Sequence, residues 1–369
     1  MLRFVEPVTH MLTGACIARA AGFPARARYA TAACVLAAEL PDIDIVYRLG
    51  GPLTYFQHHR GWTHALWSLP LQAAFVVLLF WLIHSYRKRW KKHRSVQEPA
   101  PTRWLLLGLM ALLALCSHML LDWANNYGVR PFAPFHPQWY AAELVYIVEP
   151  LMLLVLSLAL LLPWMFSLIH REIGIRRTRH PGQGMAIAAL LLVAAIWGHR
   201  WLQRADAKTI VEVQEFRGGP VLKVSLSPYP IDPYKWHVVV ETPNNMQTGT
   251  FDTRVGLLDT DPQQIVAKPP TTLSTLAAKR SWLGNIYLDW SQFPVTEDRG
   301  TVAEVHPELH IGPAEAALHV VQFSDLRFAY DVVGVTLTGP HAPLSAEAWV
   351  DDNRRVVRAW LGNQEQHLP

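Results

Sequence analysis

Histidines and aspartates cluster at the ends of strongly apolar segments, in the runs PDID (41–44), HHRGWTH (58–64) and HMLLD (118–122). Such groups are costly to desolvate at a membrane boundary, so their clustering there indicates a site. Imidazoles and carboxylates without cysteine are the ligands expected of a catalytic divalent metal, zinc first and manganese as the alternative. The sequence therefore predicts a metal centre, with the candidate ligands His10, Asp42, His58, His59, His64, His118 and Asp122.

The spacing within two of these runs favours shared ligation. His118 and Asp122 are four residues apart on a predicted helix, which places both side chains on one face. Asp42 and Asp44 follow Pro41, which ends a helix, and alternate residues of an extended stretch can point the same way. Two neighbouring carboxylates repel unless a cation or protons lie between them. The alternatives are a polar pair at a helix end and an Asp-rich turn at a membrane surface.

The run 58–64 also offers groups for catalysis. Arg60 is predicted to stabilise developing negative charge through bidentate hydrogen bonds. A carboxylate that is not used for coordination, Asp44 or Glu39, is predicted to act as general base. The alternative reading of this run is an interfacial anchor around Trp62.

Long apolar runs indicate that the first half of the chain lies in a membrane. Residues 64–84, 104–122, 145–168 and 185–202 each approach or exceed the ~20 residues that cross a bilayer. Two shorter apolar segments, 8–22 and 29–40, precede them and are expected to be tilted, half-buried or re-entrant. Beyond Leu202 the sequence is polar and rich in proline, which predicts a membrane domain over 1–204 and a soluble domain over 205–369.

Basic residues set the expected orientation. They gather in two loops between apolar runs: Arg87, Lys88, Arg89, Lys91, Lys92, Arg94 and Arg103, then Arg171, Arg176, Arg177 and Arg179. Placing both loops in the cytoplasm puts every candidate ligand at the outer face of a bacterial inner membrane, and the C-terminal domain outside the cytoplasm. The net charge of +4 is therefore read as a membrane signal, and no nucleic-acid partner is expected.

The C-terminal domain is predicted to be an α+β, strand-rich fold. Short stretches rich in β-branched and aromatic residues indicate antiparallel strands at 209–216, 221–226, 236–241 and 316–321, with a helix at 271–280. No nucleophile elbow, phosphate loop or zinc-finger spacing occurs there. The domain is expected to cover the membrane site or to bind an envelope protein partner.

At the runs THMLTG (9–14), LPDID (40–44), HRGWTH (59–64) and HMLLD (118–122) the chain resembles the YdjM-like, LexA-regulated family of predicted membrane-bound metal-dependent hydrolases. The resemblance covers about residues 7–170. It implies a multi-span membrane hydrolase that uses a metal. Two positions depart from the family pattern: Ala65 stands where serine is common, and Glu149 precedes Pro150 where aspartate is expected.

Taken together, these features predict a metal-dependent hydrolase at the outer membrane face, in contact with the lipid bilayer and acting on lipid-linked ester or phosphoester substrates. Two readings from other classes stay open. In one, the polar groups form the pathway of an ion or metal transporter. In the other, the polar site is structural and the protein is an accessory or interaction protein of the envelope.

Overall fold

A computed structural model describes residues 5–23, 27–90, 102–173, 182–259, 264–330, 342 and 344–368. The chain forms two compact units. The first comprises Met1–Asp44 and Arg60–Trp201, and the second comprises Ile45–His59 and Leu202–Pro369. Of the basic residues in the two loops, six lie outside the described residues: Lys91, Lys92, Arg94, Arg176, Arg177 and Arg179.

Helices dominate the first half of the chain. They are α1 Val5–Ala20, α2 Ala30–Glu39, α3 Pro52–His58, α4 Leu69–Trp90, α5 Trp104–Ala124, α6 Pro150–Ile173 and α7 Gln183–Glu212. Among the described residues, four apolar stretches are long enough to cross a membrane: Leu66–Trp90, Trp104–Ala124, Pro150–Ser167 and Gln183–Glu212. Mean hydropathies between 1.6 and 2.2 match those of spanning segments. The predicted multi-span helical region is confirmed.

Small residues let α1 and α2 approach each other closely. A Cβ atom added to Gly14 of α1 would lie 2.7 Å from the carbonyl oxygen of Cys34 and 2.9 Å from Cβ of Ala38, both on α2. The other face of α2 packs on α4 and α5 through fully buried small side chains such as Ala37 and Ala114. A 3₁₀ segment, Leu40–Gly50, continues directly from α2 and carries the predicted aspartate pair.

The described residues of the second unit form two antiparallel sheets. The strands are β1 Lys223–Pro228, β2 Lys235–Glu241, β3 Asn245–Asp252, β4 Leu257–Asp259, β5 Ile265–Ala267, β6 Pro294–Thr301, β7 His319–Asp325, β8 Ala346–Val350, β9 Val356–Leu361 and β10 Gln364–Glu365. The first sheet has the order β1-β2-β3-β4, with β5 also paired to β3, and the second has the order β10-β9-β8-β7-β6. The predicted strand-rich fold is confirmed.

Short helices complete the second unit. They are α8 Leu273–Arg280, α9 Trp282–Trp290, α10 Val302–Val305 and α11 Pro313–Ala316. The helix predicted at 271–280 corresponds to α8. The segment that leaves the first unit after Asp44 contributes α3, whose Phe56 ring lies 5.3 Å from that of Trp290 on α9.

The strand predicted at 209–216 is wrong. Residues up to Glu212 continue α7 as a helix, and no strand begins before Lys223 in the described part of this region. Ala207 and Val211, four residues apart, bury one helical face against Leu226 and Trp236 of the first sheet. This packing outweighs the strand preference of the β-branched residues, because β-propensity is easily overridden by tertiary context.

Candidate metal centre

Four segments of the first unit bring the predicted ligands together. His10 lies on α1, Asp42 on the 3₁₀ segment, and His64 on the turn before α4. His118 and Asp122 lie four residues apart near the end of α5, on its buried face. Of these five residues, only Asp42 keeps appreciable solvent contact, with 25% of its side chain exposed.

The imidazoles face one another across the centre. Nε2 of His118 lies 3.0 Å from Nε2 of His64, and the His10 ring stacks on the His118 ring at 3.9 Å between centroids. His118 Nδ1 lies 2.6 Å from the carbonyl oxygen of Ala38. Because a carbonyl only accepts, Nδ1 carries the proton and Nε2 presents its lone pair to the centre. Lone pairs on two Nε2 atoms at this distance repel unless a proton or a cation lies between them.

The carboxylates converge on the same nitrogen atoms. Asp122 Oδ2 lies 3.3 Å from Nε2 of both His64 and His118, and Asp122 Oδ1 lies 3.5 Å from His10 Nε2. Asp42 Oδ1 lies 3.4 Å from His64 Nε2. Two sets with ligand atoms within 4.8 Å of one another result: His10, His118 and Asp122, and Asp42, His64 and His118. The sets share His118, so they describe a single connected centre.

Arg60 and Asp44 are not in either ligand set, but they contact the ligands Asp122 and His64. The Arg60 backbone N–H donates to Asp44 Oδ2 at 2.8 Å, and Asp44 Oδ2 lies 3.5 Å from His64 Nδ1. Arg60 Nη2 lies 2.8 Å from Asp122 Oδ1, while Nη1 donates to the Gly128 carbonyl at 2.7 Å. Arg60 adopts a left-handed backbone, with φ 52°. These contacts place Asp44 behind His64, and Arg60 behind Asp122.

The cluster carries excess negative charge unless its imidazoles are protonated or a cation binds. Asp42, Asp44 and Asp122 contribute three negative charges and Arg60 one positive charge, which leaves −2 when the imidazoles are neutral. Burial alone would lower the pKa of His64, but Asp122, Asp42 and Asp44 outweigh it and raise that pKa to about 9. Asp122 is buried, and its carboxylate lies 2.8 Å from Arg60 Nη2 and within 3.5 Å of all three imidazoles. A divalent ion fits this donor set and would neutralise the excess charge.

The other predicted site residues lie elsewhere. His58 and His59 belong to the second unit, where their rings lie 4.3 Å from Tyr47 and 4.7 Å from Tyr55, respectively. Neither joins the two ligand sets found among the described residues. Glu39 ends α2 and is partly buried; burial, with the Asp42 charge, raises its pKa to about 7. Its assignment as a base stays a prediction.

Two groups that hold the centre were not among the predicted site residues. The Ala38 carbonyl fixes the His118 tautomer, and a backbone acceptor has no side-chain signature in a sequence. Asn125 Oδ1 lies 3.3 Å from Arg60 Nη1 and also accepts from the backbone N–H of Tyr127. Its position three residues after Asp122, at the end of α5, was the available signal.

A family model described as YdjM inner membrane protein matches residues 5–207, more than half of the chain. The chain belongs to the YdjM inner membrane protein family. Every residue of the metal centre lies within the matched region. Together with the four apolar spans, membership of the YdjM family supports a membrane location.

No solved structure matches this chain. Among curated proteins, the chain is similar to a Bacillus subtilis (strain 168) protein described as uncharacterized protein YfhP. The two are 27% identical over 127 residues, which is 34% of each chain. The match therefore spans about a third of the relative's length.

Proposed function

We propose that the protein is a membrane-bound metal-dependent hydrolase with one divalent cation, zinc or alternatively manganese, in the His/Asp centre. The observation that carries the proposal is the convergence of three imidazoles and two carboxylates from four segments onto one buried point. Protein interiors rarely gather so many ionisable groups without a compensating ion. Membership of the YdjM family agrees with the membrane setting.

Each residue has a distinct part in this proposal. His10, Asp42, His64, His118 and Asp122 supply the ligand atoms. Asp44 orients the His64 ring, and Arg60 orients the Asp122 carboxylate; such outer partners fix ring and carboxylate geometry. A divalent ion held here would lower the pKa of a water molecule and polarise the scissile group. The contacts of Arg60 favour this positioning role over direct stabilisation of the transition state.

The surroundings of the centre favour a lipid-linked ester or phosphoester substrate at the outer membrane face. Trp62, Leu66 and Trp67 are exposed apolar side chains on either side of His64, next to the start of the span Leu66–Trp90. Aromatic residues at the end of a span are typical of the membrane interface. The partly exposed Asp42 gives the centre access to a substrate, and loop charge supports the extracytoplasmic orientation.

Metal analysis tests the proposal directly. The detergent-purified protein is expected to contain stoichiometric zinc or manganese by elemental mass spectrometry. His118→Ala should lose it, whereas His136→Ala, at an exposed histidine of the same unit, should keep it. The loaded protein should hydrolyse members of a panel of phosphodiester and carboxylic-ester lipids, and His118→Ala should not. A parent protein that stays metal-free after reconstitution would refute the proposal.

A further inference from the structure

A small cavity borders the metal centre on the side of α6. It has a volume of about 20 Å³ and is lined by His10, Asp122, Asn125, Tyr146 and Glu149, among others. A cavity needs about 10–15 Å³ for one water and polar partners to hold it. The volume therefore suits a single water molecule, and the lining supplies both carboxylate and amide groups.

Glu149 lines this cavity together with the ligands His10 and Asp122. It precedes Pro150, the first residue of α6, and its side chain is almost fully buried. Arg200 of α7 lies at 3.1 Å from Glu149 Oε2, and its Nη1 donates to the Leu144 carbonyl at 3.5 Å. The ion pair fixes where the carboxylate stands. If Glu149 served only as the partner of Arg200 in a structural ion pair, a polar cavity of the size of one water molecule beside its carboxylate would not be required.

We propose that this cavity holds the reacting water and that Glu149 is its proton acceptor. The inference rests on the proposed hydrolase function and identifies its general base. It departs from the sequence-based assignment of that role to Asp44 or Glu39. Asp44 is engaged with Arg60 and His64, and neither Asp44 nor Glu39 lines the cavity.

The proton balance of the step is simple. The water oxygen forms a bond to the phosphorus or acyl carbon of the substrate, while one water O–H bond breaks and its proton moves to a Glu149 oxygen. The bond from phosphorus or carbon to the leaving oxygen then breaks. Glu149 returns the proton to that oxygen, so one water is consumed and no further reactant is needed.

Anion binding to the cobalt-loaded protein tests the placement of Glu149 without a substrate. Azide is the probe, and its dissociation constant is read from the visible absorption of Co²⁺. A carboxylate facing the water position repels an anion that enters there, so Glu149→Gln should bind azide at least tenfold more tightly than the parent. Cobalt stoichiometry should stay at one per chain. Glu39→Gln, the control for the rival base, should change the azide constant less than threefold.

A second control separates charge from structure. Arg200→Gln breaks the same ion pair but keeps the carboxylate, so its azide affinity should not rise. Hydrolysis of bis(4-nitrophenyl) phosphate should fall at least 100-fold in Glu149→Gln. Glu149→Asp keeps the negative charge and replaces Glu149→Gln as the test variant if the latter does not fold. Glu149→Asp should retain parental azide binding.

The outcomes are distinguishable from a failure of the hydrolase proposal. If the parent binds no cobalt, the metal centre itself is refuted. If the parent binds cobalt but Glu149→Gln leaves the azide constant unchanged, or Glu39→Gln or Arg200→Gln tightens it equally, only the assignment of Glu149 is overturned. Loss of cobalt from Glu149→Gln would make Glu149 a ligand and would overturn its role as base.

Discussion

Replacing Gly14 by alanine should weaken metal binding although Gly14 touches none of the ligands. An alanine Cβ would lie 2.7 Å from the Cys34 carbonyl oxygen, about 0.7 Å inside the 3.4 Å at which ordinary contact begins. Both neighbours of this Cβ belong to α2, so relief requires α2 to move away from α1. Backbone atoms of a packed helix cannot yield locally as a flexible side-chain end can.

The displacement acts on the centre through Ala38. Its carbonyl accepts from His118 Nδ1 at 2.6 Å, and a shift of α2 by about 0.7 Å would displace this acceptor from its position against the ring and spoil the hydrogen-bond geometry. Loss of such an outer partner typically costs 10- to 100-fold in metal affinity. Overpacking the helix contact should also destabilise the fold by about 1–3 kcal/mol.

A competition titration of purified protein against a metallochromic chelator measures the affinity, and thermal unfolding in the same detergent measures stability. Gly198→Ala on α7 is the matched control, since its added Cβ would meet nothing within 4 Å. Gly14→Ala should bind zinc at least tenfold more weakly than Gly198→Ala. Equal affinities, with Gly14→Ala folded, would refute the reasoning that the α1–α2 contact sets the geometry of the centre.

Three further predictions concern single sites. Asp44→Asn should weaken zinc affinity about 10- to 100-fold by releasing the His64 ring, measured by the same titration; parental affinity would argue against the orienting role. The double variant His58→Ala, His59→Ala should keep stoichiometric metal by elemental mass spectrometry, and its loss would return both residues to the ligand set. Burial lowers the pKa of His237 to about 4. The unfolded chain therefore binds this proton more readily, so stability is full above about pH 6.5 and falls by up to about 3 kcal/mol toward pH 4. Denaturant titrations followed by tryptophan fluorescence should show this loss, and His237→Gln should flatten it.

The sequence alone predicted those parts of the centre in which a local rule fixes the direction of the side chains. The four-residue spacing of His118 and Asp122 was enough, because helical geometry places such residues on one face. The apolar runs located the spans, because length and hydropathy determine what crosses a bilayer. The convergence of His10, Asp42 and His64 could be expected from topology, because successive spans run in alternating directions and bring these residues to the same side of the membrane.

Tertiary contacts determine which histidines reach the centre, and the sequence alone could not predict them. His58 and His59 read as ligands beside His64, yet the intervening Arg60 adopts a left-handed backbone that no local residue preference indicates. The segment that ends with His59 groups with the second unit, through Phe56 and the α9 rings, whereas Arg60 begins the return to the first. The boundary between the two units falls between the adjacent residues His59 and Arg60, and such a boundary changes neither the composition nor the periodicity of the sequence.

The arrangement of charge argues for a resident ion over either rival reading. An ion pathway needs polar groups through the membrane depth, but residues 69–83, 104–116, 150–167 and 183–198 contain no Asp, Glu, His, Lys or Arg. A purely structural cluster must balance its own charges. Neutrality without a metal requires a proton on both His64 and His118, which would set two Nε2–H groups against each other with only 3.0 Å between the nitrogens. A divalent cation would replace those protons and take the inward-facing nitrogens as ligands, so metal content is the property on which the three readings separate.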